Sequence, residues 1–191
     1  MAATLSTMLE LGVKAPEFSL PDTEGNIISL NSLKVEKGIL IMFICNHCPY
    51  VKHLNEALVE FANDYKKEGI ECVAISSNDI ENYPQDAPVH MKELVKEYQF
   101  PFPYLYDESQ EIAKAYKAAC TPDFFMFDED LKLFYRGQFD DSRPGNSQPV
   151  TGIDMRNAAN ALLKGKSYPD KQIPSMGCNI KWKKGNEPEY F

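Results

Sequence analysis

The chain has a single tryptophan and three histidines among its 191 residues, and its apolar residues never run on for long. The longest stretch, residues 39–45, falls far short of the roughly 20 residues that a bilayer-spanning helix needs. Nor do residues 1–10 carry a basic segment followed by a long apolar core, which argues against an ordinary secretory leader and predicts a cytoplasmic location. Basic residues are the minority, 20 against 28 acidic ones, and form no block. The resulting net charge of −8 makes nucleic acid and anionic membranes poor partners. No internal repeat is evident. The five cysteines, at 45, 48, 72, 120 and 178, are odd in number and need not form a disulfide framework, so local setting has to decide the role of each.

What is present suits one domain with a sizeable core: 43% hydrophobic residues, including 11 Phe and 10 Tyr. Residues 12–26 read as an extended element ending in a Gly25-Asn26 turn, with 27–30 returning as a hairpin. Residues 39–44 are continuously apolar and branched, the pattern of a central buried strand. After Pro49, Val51, Leu54, Leu58, Phe61 and Tyr65 recur at helical spacing, and Gly69 ends that helix before a second strand at 70–76. This succession predicts a right-handed parallel crossover. Residues 78–88 are turn-rich and 89–98 helical. The proline-rich segment 100–106 fits a sheet edge, and a helix is expected from 107 through 119. Residues 123–128 and 133–139 read as an antiparallel hairpin and 153–163 as a last amphipathic helix. The remainder lacks a clear period and is expected to wrap the domain.

The chemistry concentrates where the first central strand gives way to a helix, in Cys45-Asn46-His47-Cys48-Pro49. A cysteine at a helix start faces unsatisfied N–H groups, which favours the thiolate. A shift from about 8.5 to about 6.5 would raise the thiolate share at pH 7 from roughly 3% to roughly 75%. Two cysteines at i and i+3 can approach closely enough to bridge, with Cys45 exposed before the helix as the attacking thiol and Cys48 tucked into its first turn as the resolving one. His47 either tunes this pair or is an exposed polar turn residue. Cys120-Thr121-Pro122-Asp123, just before a predicted strand, is expected to meet the pair in space. A cis proline there would hold the Thr121 backbone beside the thiols and leave its N–H and C=O open to an extended substrate.

With Cys-Asn-His-Cys after a central strand and Thr121-Pro122 before the hairpin, the chain resembles the thioredoxin superfamily, in its redoxin, peroxiredoxin-like AhpC/TSA-related branch. It is most similar to a soluble subgroup with Cys-Asn-His-Cys-Pro-Tyr-Val, an Asp-Asp-Ser-Arg segment and a Gly-Cys-Asn-Ile-Lys-Trp tail. The resemblance implies an α/β thioredoxin-like three-layer fold, with a central mixed sheet flanked by helices, an N-terminal hairpin and a C-terminal extension. Residues 1–165 would form the redox domain and 166–191 a tail packed on it. It also implies thiol–disulfide exchange with Cys45 as nucleophile, Cys48 as resolver and Thr121 and Pro122 facing substrate. The expected partners are a disulfide-containing protein or small disulfide and an external thiol reductant, with no cofactor or metal; stoichiometry stays open.

Three alternatives remain. In a peroxidase reading Cys48-Pro49 matches the peroxiredoxin step and Cys48 attacks peroxide, but the usual arginine aligns with Pro122, leaving Arg136 or Arg143 to substitute. In a zinc reading, Cys45, Cys48, His47 and His53 gather with help from Cys178. In the third, the domain is a non-enzymatic binding module. Cys72 reads as core. Cys120 either faces the pair as an auxiliary thiol or packs beneath the turn, and Cys178 either anchors the tail or resolves a disulfide. The Asp140-Asp141-Ser142-Arg143 segment either forms a charge-assisted network near the thiols or is solvated.

Overall fold

The computed structural model describes residues 3–169 and 171–190; Met1, Ala2, Asp170 and Phe191, which fall within the expectations for the N-terminus and the tail, lie outside the described residues. In chain order, β1 (Ala3–Leu5) precedes the hairpin of β2 (Ser19–Pro21) and β3 (Ile27–Ser29). β4 (Gly38–Phe43) leads into α1 (Pro49–Lys52) and α2 (Asn55–Lys66), and β5 (Ile70–Ser76) follows. Next come α3 (Pro88–Tyr98), β6 (Tyr104–Tyr106), α4 (Glu111–Ala115) and β7 (Cys120–Thr121). The chain ends with β8 (Asp123–Asp128), β9 (Leu133–Tyr135), α5 (Ile153–Leu163) and β10 (Met176–Asn179).

Five strands form the central mixed sheet in the order β6-β5-β4-β8-β9. β5 pairs parallel to both β4 and β6, whereas β8 runs antiparallel to β4 and β9. Strand alternation in β4 explains the layering. Leu40, Met42 and the following Ile44 point into one core with Leu58 and Phe61 of α2 and Met155 and Ala158 of α5. Ile39, Ile41 and Phe43 point into the other with Phe18, Tyr116, Phe125 and Trp182. A strand buried on both faces has to be apolar throughout, which is the pattern the sequence shows. This is the expected thioredoxin-like α/β architecture with its N-terminal hairpin and C-terminal extension.

Three expectations are shortened, each for a local reason. The helix after Pro49 is two helices, because the Leu54 N–H bonds three residues back, to Val51 O at 2.9 Å, with φ drawn out to −106°. The helix expected from 107 is confined to α4, bounded by left-handed residues at Gln110 and Lys117. β9 stops at Tyr135 because the backbone N–H groups of Arg136 and Gln138 turn to the tail, donating to Gln172 Oε1 and Ile173 O. The tail does more than wrap: β10 is the middle strand of a second antiparallel sheet, β1-β10-β7. Among the described residues no helix is long and apolar enough to cross a membrane.

Candidate active site

Cys45 lies just beyond the end of β4 and Cys48 caps α1, with Pro49 in the first turn. The Thr121–Pro122 peptide is cis and brings Thr121 to both sulfurs. Cys48 Sγ lies 3.0 Å from Thr121 O, a bond it donates when protonated, and Cys45 Sγ is 3.4 Å from Thr121 Oγ1. Both cysteines are free thiols here and lie at near-disulfide distance. The expectation that Cys45 is exposed does not hold: Cys45 is 1% and Cys48 0% exposed, because the turn from 120 to 122 and the tail close over the pair.

The Cys48 thiol is lowered to about 5. The main cause is the Cys45 S–H donated to it; burial opposes, and the S–H and N–H of Cys178 and the Thr121 hydroxyl add further donors. Cys45 is pushed well above its usual range, first by burial, then by its bond to Cys48 and the negative charge of Asp86. The pair therefore titrates as a unit, losing one proton well before the other. Since α1 is a single turn offset from α2, the shift comes from neighbouring donors more than from a helix terminus.

Asp86 is the functional residue that sequence reasoning missed. It is fully buried, in the short 3-10 turn Pro84–Asp86 within the turn-rich segment after β5. Its Oδ1 accepts the N–H groups of Asn46 (2.8 Å) and His47 (3.1 Å); its Oδ2 accepts Asn78 Nδ2 (2.8 Å) and pairs with His47 Nδ1 (2.6 Å). Burial alone would raise this carboxyl, but these bonds outweigh it and leave Asp86 below its usual value. One carboxylate thus fixes the dipeptide between the cysteines. His47 is set by Asp86 on one side and by stacking on Tyr83 on the other, with Nδ1 3.9 Å from Cys45 Sγ. The available signal was an acid in a loop at the C-terminal end of a parallel strand, where α/β folds place their sites.

The structure separates the remaining candidates. Cys178 of β10 pairs across from Thr121 and reaches Cys48. The Thr121 edge expected to be open is instead occupied by that strand. Cys120 is buried, with its Sγ bonded to Pro122 O at 3.5 Å, so it packs against the turn and makes no hydrogen bond to the pair. Arg136 is also buried, paired with Asp123 at 3.1 Å and lying over the Phe125 ring at 4.0 Å. Arg143 Nη1 donates to Asp140 O (2.7 Å) and Ser142 O (2.6 Å) in its own loop. Asp140 in turn accepts the N–H groups of Ser142, Thr151 and Gly152, so the Asp-Asp-Ser-Arg segment is an ordered network. It reaches a small cleft beside Pro122, not the thiols. His53 bonds Ser142 Oγ at 2.7 Å, outside the site, so the four-ligand zinc set does not assemble. Cys45, His47 and Asp86 do bring donor atoms within 4.8 Å of one another, but both Asp86 oxygens are already taken by hydrogen bonds. Cys72 is buried in β5 and burial pushes its thiol up, as a core residue requires.

Cys45 and Cys48 are thus a redox-active pair in a thioredoxin fold, and similarity to known proteins points the same way. Over 130 residues the chain is 29% identical to a thiol-disulfide oxidoreductase ResA from Bacillus thuringiensis subsp. konkukian, covering 68% of this chain and 70% of that protein. A ResA from Bacillus cereus is 30% identical over 125 residues, covering 65% and 68%. Among solved structures, an uncharacterized conserved protein from Geobacillus kaustophilus is 56% identical, with a TM-score of 0.93 and coverage of 96% of this chain and 97% of that one. A hypothetical protein from Sinorhizobium meliloti is 49% identical, with a TM-score of 0.93 and coverage of 95% and 100%. The cytoplasmic location expected from the N-terminus is corrected by these comparisons. A Mycobacterium tuberculosis structure of the same fold is described as a secreted disulfide oxidoreductase homologous to DsbE. The lack of a leader-like pattern in residues 1–10 was too weak an observation to fix a compartment. Residues 11–136 match the AhpC/TSA family, which spans well over half of the sequence, and the chain belongs to that family.

Proposed function

We propose that the protein is a dithiol–disulfide oxidoreductase in which Cys48 holds the attacking thiolate and Cys45 resolves. What carries this is the placement of Cys48 Sγ 3.0 Å from Thr121 O, on the edge that pairs with β10, while the donors around Cys48 lower its thiol and burial raises that of Cys45. It favours the order opposite to the one expected from sequence. The Cys48 thiolate attacks one sulfur of a substrate disulfide, forming a mixed disulfide and releasing the other sulfur as a thiolate. Cys45 then loses its proton and attacks Cys48, which releases the second substrate thiol and leaves the Cys45–Cys48 disulfide. Two electrons pass from the pair to the substrate, and an external thiol reductant returns them. His47 and Asp86 hold the turn and position the pair.

The substrate is a disulfide-containing protein or a small disulfide. Residues 1–165 act as the redox domain and 166–191 as a tail packed on it. The chain's own Cys45-Asn46-His47-Cys48-Pro49 step and Gly177-Cys178 tail support placing it in a Cys-Asn-His-Cys-Pro subgroup. Peroxide is the rival oxidant because Cys48 precedes Pro49, yet the guanidiniums of Arg136 and Arg143 are committed elsewhere and neither can stabilise a departing oxygen at Cys48. Stopped-flow turnover with a disulfide and with hydrogen peroxide tests this reading in wild type, Cys45→Ser and Cys48→Ser. The expected pattern is disulfide turnover in wild type, none in Cys48→Ser, and, in Cys45→Ser, initial formation of a mixed disulfide on Cys48 that no Cys45 thiol can resolve. Fast peroxide turnover surviving Cys45→Ser would favour the peroxidase. A mixed disulfide trapped on Cys45 in Cys48→Ser would restore the sequence-derived order.

A further inference from the structure

The edge that the cis Thr121–Pro122 turn offers to a substrate strand is filled by the protein's own tail. β10 pairs antiparallel with β7, Cys178 opposite Thr121 and Asn179 opposite Cys120. On its far side β10 is held by β1, with Ala3 opposite Cys178. The fit depends on Gly177. A Cβ there would lie 1.9 Å from Thr121 O and 2.5 Å from Thr121 C, so only glycine lets the strand lie flat on that peptide. The next residue is a cysteine whose S–H and backbone N–H both reach Cys48. The strand is tied down beyond it as well: Lys181 N–H donates to Asn78 Oδ1 at 2.9 Å, and Lys181 O accepts Asp79 N–H at 2.8 Å. Asn78 also donates to Asp86, so the tail anchors on the residue that orders the cysteine turn. β10 thus has the attributes of a docked substrate: an extended backbone on the cis-proline edge and a cysteine against the reactive sulfur.

We propose that β10 is an internal substrate strand and that Cys178 is a third redox thiol, which exchanges into the Cys45–Cys48 disulfide to give a Cys48–Cys178 disulfide. The inference rests on the dithiol reading above. In this step the Cys178 sulfur attacks Cys48, the Cys48–Cys178 bond forms, the Cys45–Cys48 bond breaks, and the proton of Cys178 ends on Cys45. Nothing is oxidised or reduced overall, because the oxidising equivalents entered with the external disulfide. The exchange parks the disulfide on the tail and frees Cys45. It also requires an external disulfide, small or protein-borne, to displace β10, because Cys48 is fully buried beneath it.

The experiment uses full-length Cys45→Ser and Cys45→Ser/Cys178→Ser proteins, each reduced and treated with one equivalent of oxidised glutathione, with wild type alongside. Released glutathione is counted, and linkages are mapped by mass analysis after alkylation. In Cys45→Ser, the glutathione first placed on Cys48 should be displaced by Cys178, giving a Cys48–Cys178 bridge and two released thiols for each oxidised glutathione. The double variant should keep the adduct at least about tenfold longer, since an intramolecular thiol acts at high effective concentration. A Cys48 adduct equally stable in both variants, or Cys178 remaining fully alkylatable in Cys45→Ser, overturns the proposal. Wild type reports separately on the underlying reading: formation of neither Cys45–Cys48 nor Cys48–Cys178 there sinks that reading, whereas formation of Cys45–Cys48 together with equal adduct lifetimes sinks only the role of Cys178.

Discussion

Replacing Cys45 by alanine removes the donor that does most to hold Cys48 as a thiolate. A hydrogen bond to a charged acceptor is worth about 1.5–3 kcal/mol, and one pKa unit corresponds to about 1.4 kcal/mol, so its loss alone would raise Cys48 by about 1–2 units. A thiol is a weak donor, and deleting the side chain lets water approach Cys48 and relieves part of the burial that already works against the thiolate. Both effects favour the lower end, a rise of about one unit from a starting point near 5. The assay is the pH dependence of Cys48 carbamidomethylation, followed by peptide mapping in wild type and in Cys45→Ala. Cys178→Ala serves as a graded control, because it removes one S–H donor but keeps the backbone N–H on Cys48, and its rise should be the smaller of the two. An unmoved or lowered midpoint in Cys45→Ala would refute the role of Cys45 as the main donor to Cys48.

Three further outcomes follow from the same geometry. Gly177→Ala should lift β10 from Thr121, and each ~1.4 kcal/mol of lost strand docking should speed alkylation of Cys48 by about tenfold; an unchanged rate would show that the strand does not shield the thiol. Asp86→Asn should destabilise the fold by about 1–3 kcal/mol at neutral pH, because the backbone and side-chain donors of the cysteine turn lose a charged acceptor. Asp86 is depressed below 3.8 in the fold, so its contribution is complete above that value and fades as pH falls through the lower folded value; denaturant unfolding of wild type and Asp86→Asn should converge only in strong acid. Phe125→Ala, in the core shared by Phe43 and Tyr116 beneath Arg136, should cost about 3–5 kcal/mol in the same measurement.

The layered core was legible because β4 is apolar on both faces and α2 keeps a helical period, two patterns that depend only on neighbouring residues. The cis turn was legible from Thr121-Pro122 ahead of a strand, once the cysteine pair was recognised upstream. The pair itself was plain, but its electrostatics were not. They depend on which donors converge on one sulfur, and Cys178 arrives from a strand 130 positions further along the chain. Asp86 was hidden for a similar reason: an aspartate in a loop is usually solvated, and only the fold shows that this one is buried under the turn it orders. The tail lacked periodicity because β10 is short and its governing feature is a missing side chain at Gly177, which is meaningful only beside the Thr121 carbonyl. Arg136 read as a candidate for peroxide chemistry, yet its partner Asp123 and the Phe125 face beneath it make it part of the core.

The central claim is that Cys45 and Cys48 cycle between dithiol and disulfide, and an equilibrium titration of the full-length protein in glutathione redox buffers, with each free thiol alkylated and mapped, tests it most directly. The account predicts that Cys45 and Cys48 lose and regain alkylation reversibly in a two-electron transition, while the buried Cys72 and Cys120 show no linkage at any potential. Cys45 and Cys48 remaining unlinked across the whole range, or a Cys120–Cys178 bridge forming while both motif thiols stay free, would contradict it.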